Sequence, residues 1–102
     1  MSIYKKILFT GSSGRFGKVF KKINNNRNYI YPTSRQLNII NPSSVSKFFK
    51  KNKIDLVIHC AALSRPMNIH ERKPIKSIST NIIGTANLVN ECIKKNVKII
   101  CK

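Results

Sequence analysis

Apolar residues fall along this chain in two rhythms. Largely apolar runs from Ile3 to Thr10, Ile54 to Cys60 and Val97 to Cys101 show little polar alternation, and their length and β-branched content predict parallel strands covered on both faces. Between them the apolar positions recur at helical spacing. Phe16, Val19, Phe20 and Ile23 predict a helix over 15–23 buried along that stripe, broken by Asn24-Asn25-Asn26. Val45, Phe48 and Phe49 predict a second helix running to about Lys51, with Asn41 or Ser43 as its N-cap. Pro74 can open a third, long helix whose stripe is Ile75, Ile78, Ile82, Thr85, Val89 and Ile93, stopping near Asn96. Two shorter runs, Asn28 to Thr33 and Leu37 to Ile40, predict the second and third strands.

The resulting series is β-α-β-β-α-β-α-β, with no internal repeat, low-complexity linker or domain boundary, so residues 1–102 read as one domain. Alternation of this kind implies an α/β fold: a Rossmann-like, doubly wound parallel sheet with right-handed crossovers and helices on both faces. The expected strand order, numbered along the chain, is 3-2-1-4-5. In such a sheet the ligand crevice lies beyond the carboxyl ends of the first and fourth strands.

The first strand runs directly into Thr10-Gly11-Ser12-Ser13-Gly14-Arg15-Phe16-Gly17, a turn with three glycines at three-residue spacing that opens the first helix. The first glycine permits a tight turn, the second lets phosphates approach the main chain, and the third lets the helix pack closely on the strand. The helix N-terminus adds its partial positive charge. Gly11, Ser13, Gly14, Arg15, Phe16 and Gly17 are therefore candidate cofactor-binding residues.

Charge modifies this picture less than its size suggests. Lys and Arg number 20 against 3 Asp and Glu, a formal charge of +17, so the chain is attracted to polyanions generally. No aromatic-interleaved basic stripe or nucleic-acid motif accompanies it, and the lysines are spread over outer helical positions and turns, which reads as a solvated surface without a specific nucleic-acid partner. Cys60, Cys92 and Cys101 form no Cys-x-x-Cys pair, and His59 and His70 make no ligand cluster with them, so no metal site is expected. Reduced thiols, the lack of a signal-peptide pattern and the lack of a membrane-spanning run together suggest a cytoplasmic protein with no membrane partner.

Three stretches in order resemble the extended short-chain dehydrogenase/reductase family, whose members include NAD-dependent epimerases, dehydratases and reductases acting on nucleotide sugars. The glycine turn is similar to the family's T-G-x-x-G-x-x-G, His59-Cys60-Ala61-Ala62 to its H-x-A-A, and Asn81-Ile82-Ile83-Gly84-Thr85-Ala86-Asn87-Leu88 to its N-x-x-G-T-x-N-L. The compact region before Leu37-Asn38-Ile39 resembles the dTDP-dehydrorhamnose reductase branch, with Asn38 where that branch commonly has aspartate. The resemblance implies that Asn38 and Ile39 sit beside the adenine, that Ala61 and Ala62 leave room for the nicotinamide ribose, and that Asn81 ties the active-site side of the sheet together. No acid follows the second strand to bind ribose hydroxyls; Arg35 stands there, and with Arg15 it offers a guanidinium to a 2′-phosphate. NADP is favoured as cofactor, with NAD the alternative.

Family chemistry uses a Tyr-x-x-x-Lys pair, and none of Tyr4, Tyr29 and Tyr31 has a lysine four residues on. No catalytic residue is therefore assigned. The expectation is an incomplete NAD(P)-binding domain, the amino-terminal portion of a nucleotide-sugar reductase or epimerase. It would be inactive alone, would take a nucleotide-sugar substrate only if completed by a carboxy-terminal part, and could associate through its open sheet edge. The alternatives are a non-catalytic NAD(P)-sensing or partner-binding module and a basic nucleic-acid binder.

Overall fold

A computed structural model of the chain describes residues 4–12, 14–60 and 74–101, with the backbone alone over 74–80. Four parallel strands form its sheet: β1 (Ile7–Thr10), β2 (Tyr29–Ile30), β3 (Leu56–His59) and β4 (Lys98–Cys101), in the order β2-β1-β3-β4. The helices are α1 (Arg15–Ile23), α2 (Pro42–Lys51) and α3 (Pro74–Lys95). Ile7 pairs with Tyr29 on one side and Leu56 on the other, and Leu56 in turn pairs with Lys98. β1 is thus central, and its four residues are all buried.

Register decides which side chains share a face. Leu8, Val57 and Ile99 lie in one row and pack with Val45 and Phe49 of α2 and Leu88 and Cys92 of α3, forming the main core. Leu8, Val57 and Leu88 are wholly inaccessible; each such burial contributes about 1.5–3 kcal/mol. Phe9 points to the opposite face and stacks on Phe20 of α1, with ring centroids 4.8 Å apart.

Three expectations change. Leu37 to Ile40 is not a strand, so the sheet lacks the predicted third strand and the other four keep their expected relative order. Local bonds account for this: Leu37 N–H donates to the Thr33 carbonyl, Ile40 N–H to Asn38 Oδ1 and Asn41 N–H to the Asn38 carbonyl, which commits these groups to turns. Only Leu37 of the run is buried. Second, α1 has the predicted bounds but not the predicted burial. Gly17 is its buried residue, whereas Phe16, Val19 and Ile23 are 56%, 58% and 70% exposed. Among the described residues α1 is alone on its face of the sheet, so nothing covers the rest of its stripe. Third, the core face of α3 is rotated from the predicted stripe. Gly84, Leu88, Glu91 and Cys92 are buried, while Ile82 and Ile93 are exposed; Ile75 and Ile78 lie outside the described side chains.

The helix ends follow local chemistry. Asn41 caps α2, its Oδ1 accepting from the N–H groups of Ser43 and Ser44, with Pro42 at the first helical position. Beyond α3, Asn96 adopts φ 55°, a left-handed conformation that asparagine tolerates and that reverses the chain into β4.

Candidate functional site

The glycine turn leaves the carboxyl end of β1 and is packed tightly from below. Gly11 has φ 82°, and a Cβ there would be driven into the Cys60 carbonyl oxygen at the end of β3. At Gly17 a Cβ would strike the Gly11 carbonyl oxygen and lie 2.6 Å from Ser12 Cα. These two glycines close the turn against the sheet and against itself.

Gly14 differs. Its φ of −75° and ψ of 172° suit any residue, and among the described residues the nearest atom to a Cβ there is the Gly11 carbonyl oxygen at 3.4 Å. Its missing side chain leaves space on the outer side of the turn, at the start of α1. Among the described residues no side chain caps that helix, and its first turn contains no acid. The opening N–H groups of a helix have no partner within it, so this uncapped end presents donors and partial positive charge to an anion. Arg15 is exposed beside it, and Phe16 is exposed with its ring stacked on Phe20 at 6.1 Å.

The end of β3 is tied to this turn by a buried histidine. His59 Nδ1 is 2.5 Å from Thr10 Oγ1 at the end of β1, and its Nε2 is 2.9 Å from Thr85 Oγ1 on α3. Both ring nitrogens thereby meet a hydroxyl that can donate or accept, the arrangement a buried neutral imidazole requires. Burial holds the His59 pKa below its ordinary 6.5. This Thr10–His59–Thr85 bridge was not assigned from the sequence, although His59 and Thr85 belong to two of the motifs. The signal was a polar residue ending each of two apolar strands.

The third motif anchors the segment that replaces the expected third strand. A Cβ on Gly84 would meet Ile39 Cδ1 at 2.5 Å and Cγ1 at 2.7 Å, so glycine lets Ile39 lie directly on α3. Asn87 Nδ2 donates to the Ile39 carbonyl at 2.8 Å, and Leu88 enters the core. Asn38 is exposed; its N–H donates to Ser44 Oγ and its side chain accepts from Ile40 N–H, which fixes the turn.

Of the residues assigned from sequence, Gly11, Gly14, Arg15, Phe16 and Gly17 thus form one turn and helix start. Ile39 is held by the motif on α3, where Asn81 is half-buried one turn before Gly84, and Asn38 is fixed beside it by Ser44 and Ile40. Arg35 is exposed in the turn after β2, whose ends are linked by the Leu37 N–H to Thr33 carbonyl bond. Ser13, Ala61 and Ala62 lie outside the described residues. Cys60 is half-buried at the base of the glycine turn, Cys101 is exposed, and burial pushes the Cys92 thiol up to about 11. Among the described residues no helix is long and apolar enough to cross a membrane.

Comparison with known proteins agrees with this geometry. A family model described as the RmlD substrate binding domain matches residues 5–101. UDP-N-acetylglucosamine 4,6-dehydratase (inverting) of Campylobacter jejuni is 30% identical over 115 residues, covering 92% of this chain and 34% of that protein. The crystal structure of a dTDP-4-dehydrorhamnose reductase ortholog from Clostridium acetobutylicum superposes with a TM-score of 0.74 at 31% identity, over 92% of this chain and 34% of its own. A GDP-D-glycero-L-gluco-heptose synthase from Campylobacter jejuni, crystallised in the presence of NADPH, gives a TM-score of 0.74 at 27% identity, over 99% of this chain and 31% of its own. The chain spans about a third or less of the length of the curated relatives it matches. Since the family model covers nearly the whole sequence and the described residues of the three motifs meet at one end of a Rossmann-like sheet, the chain belongs to the RmlD substrate binding domain family, among the extended short-chain dehydrogenase/reductases.

Proposed function

We propose that these residues form the NADP-binding portion of a nucleotide-sugar reductase or dehydratase. The observation that carries this reading is the start of α1: among the described residues, a helix with no side-chain cap and no acid in its first turn, reached through a turn that is sterically full at Gly11 and Gly17 and open at Gly14. That opening fits a diphosphate, which the helix amides would hold in the space left at Gly14. Arg15 and Arg35 would take the 2′-phosphate of NADP, and Asn38 and Ile39 would border the adenine. Ala61, Ala62 and Asn81 would flank the nicotinamide side. The relative crystallised with NADPH supports the choice of cofactor.

Bound NADP would supply or accept hydride. The chain's own residues hold and orient it; a Tyr-x-x-x-Lys pair to move the accompanying proton does not occur among the 102 residues, so the proposal for them is binding rather than turnover. Fluorescence titration with NADPH and NADH tests it. Saturable NADPH binding, tighter than NADH and reduced by Arg35→Ala, is expected. Absence of saturable binding by either nucleotide would overturn the reading.

A further inference from the structure

We propose that the edge of the sheet opposite the glycine turn is a docking surface for the phosphate backbone of a nucleic-acid duplex, independent of the cofactor site. In a parallel α/β sheet every helix ends where the next strand begins, so helix carboxyl ends and strand amino ends share one edge. Each described helix carries a lysine pair in its last turn: Lys21-Lys22, Lys50-Lys51 and Lys94-Lys95. Lysines at helix ends offset the helix dipole and need no further reason. The strand starts do: Lys5-Lys6 precede β1, Arg27 precedes β2, Lys53 precedes β3 and Lys98 opens β4. The fold thereby collects more than half of the chain's 20 basic residues on one edge.

Little opposes them there. Asp55 accepts the backbone N–H groups of Lys5 and Lys6 at 2.6 and 3.1 Å, and Glu91 is buried. Lys50, Lys53 and Lys95 surround a recess of about 300 Å³ with Asp55 at its side. Exposed amides, Asn25 after α1 and Asn96 after α3, stand among the cations and can donate to phosphate and sugar oxygens. Strands about 4.8 Å apart give a four-strand edge roughly 14 Å across. That matches the span of phosphates across a groove about 12 Å wide better than it matches a single small anion. Contact with phosphates alone carries no base readout, so binding is expected to be independent of sequence.

Fluorescence anisotropy of a labelled duplex, followed as a function of KCl, separates a localised surface from diffuse net charge. Lys53→Gln/Lys95→Gln removes two charges from the edge, and Lys18→Gln/Lys47→Gln removes two from elsewhere on the helices. The edge pair is expected to lower the salt slope by about 2 and to weaken binding roughly 50-fold at about 0.1 M salt. The other pair should leave both nearly unchanged. A second edge pair, Lys22→Gln/Lys98→Gln, gives the same reading if the first is poorly folded by circular dichroism. Equal losses in edge and control pairs, or displacement of the duplex by phosphatidylserine vesicles at lower phosphate concentration than by unlabelled duplex, would overturn the proposal.

Discussion

Replacing Gly14 and Gly17 separately by alanine should divide cofactor binding from folding. At Gly14 the backbone already suits alanine, and a Cβ meets nothing closer than 3.4 Å. The substitution reduces the freedom of the unfolded chain, a gain of about 0.4–1 kcal/mol, and loses a favourable N-cap glycine at a cost of about 0.5–1 kcal/mol. Stability should therefore change by no more than about 0.5 kcal/mol. The new methyl would stand where a diphosphate must approach. Loss of one or two charge-assisted hydrogen bonds, each about 1.5–3 kcal/mol, weakens NADPH binding by at least roughly tenfold. At Gly17 the balance reverses. Alanine gains about 1 kcal/mol of helix propensity, but its Cβ enters the Gly11 carbonyl and the Ser12 backbone, neither of which can rotate aside. Overpacking of this kind costs about 1–3 kcal/mol and more where backbone must move, so a net loss of about 2 kcal/mol is expected. With a urea m-value of about 1–3 kcal/mol/M, the midpoint falls by about 1 M. Urea denaturation and NADPH titration of both variants provide the measurement. A Gly14→Ala protein that binds NADPH like the parent would place the diphosphate elsewhere, and a Gly17→Ala protein as stable as the parent would refute the steric account.

Acidification should destabilise the protein through His59: its folded pKa lies below 6.5, so the unfolded state takes the proton first, and this stability is full above 6.5 and lost as pH falls through 6.5 toward the folded value. Urea midpoints from about pH 7.5 to about 5 check it against His59→Gln, which should lack this component; an unchanged slope in the variant would remove His59 as the cause. Leu88→Ala should cost about 2–5 kcal/mol by leaving a cavity in the main core, read from the same denaturation curves. Asn87→Ala should cost about 1 kcal/mol by releasing the Ile39 carbonyl, and should weaken NADPH binding if Ile39 borders the adenine; calorimetry measures the second effect. With its pKa raised to about 11 and its side chain buried, Cys92 should react with a thiol reagent only on unfolding, while exposed Cys101 reacts in the native state; mass mapping of the labelled sites distinguishes them.

The sequence determined the parts that depend on local chemistry. The bounds of α1 and the start of α3 at Pro74 follow from Gly, Asn and Pro acting within one turn, and the structure chose Asn41 over Ser43 as the cap of α2. The parallel order of the four strands followed from their alternation with helices, and the glycine turn was legible because backbone approach to phosphate needs those residues at that spacing. Tertiary structure decided what depends on neighbours. Leu37-Asn38-Ile39-Ile40 has the composition of a strand, yet its groups go to a turn and to Asn87, 48 residues away. Helical periodicity marked apolar stripes on α1 and α3, but burial requires a surface to cover them. α1 touches the glycine turn through Gly17 and the sheet through Phe20, and α3 is set by Gly84 lying against Ile39, so Phe16, Val19, Ile82 and Ile93 remain exposed. The Thr10–His59–Thr85 bridge and the gathering of cations on one edge arise in the same way: no residue shows its partner within its own segment, and its role comes from segments the fold brings beside it.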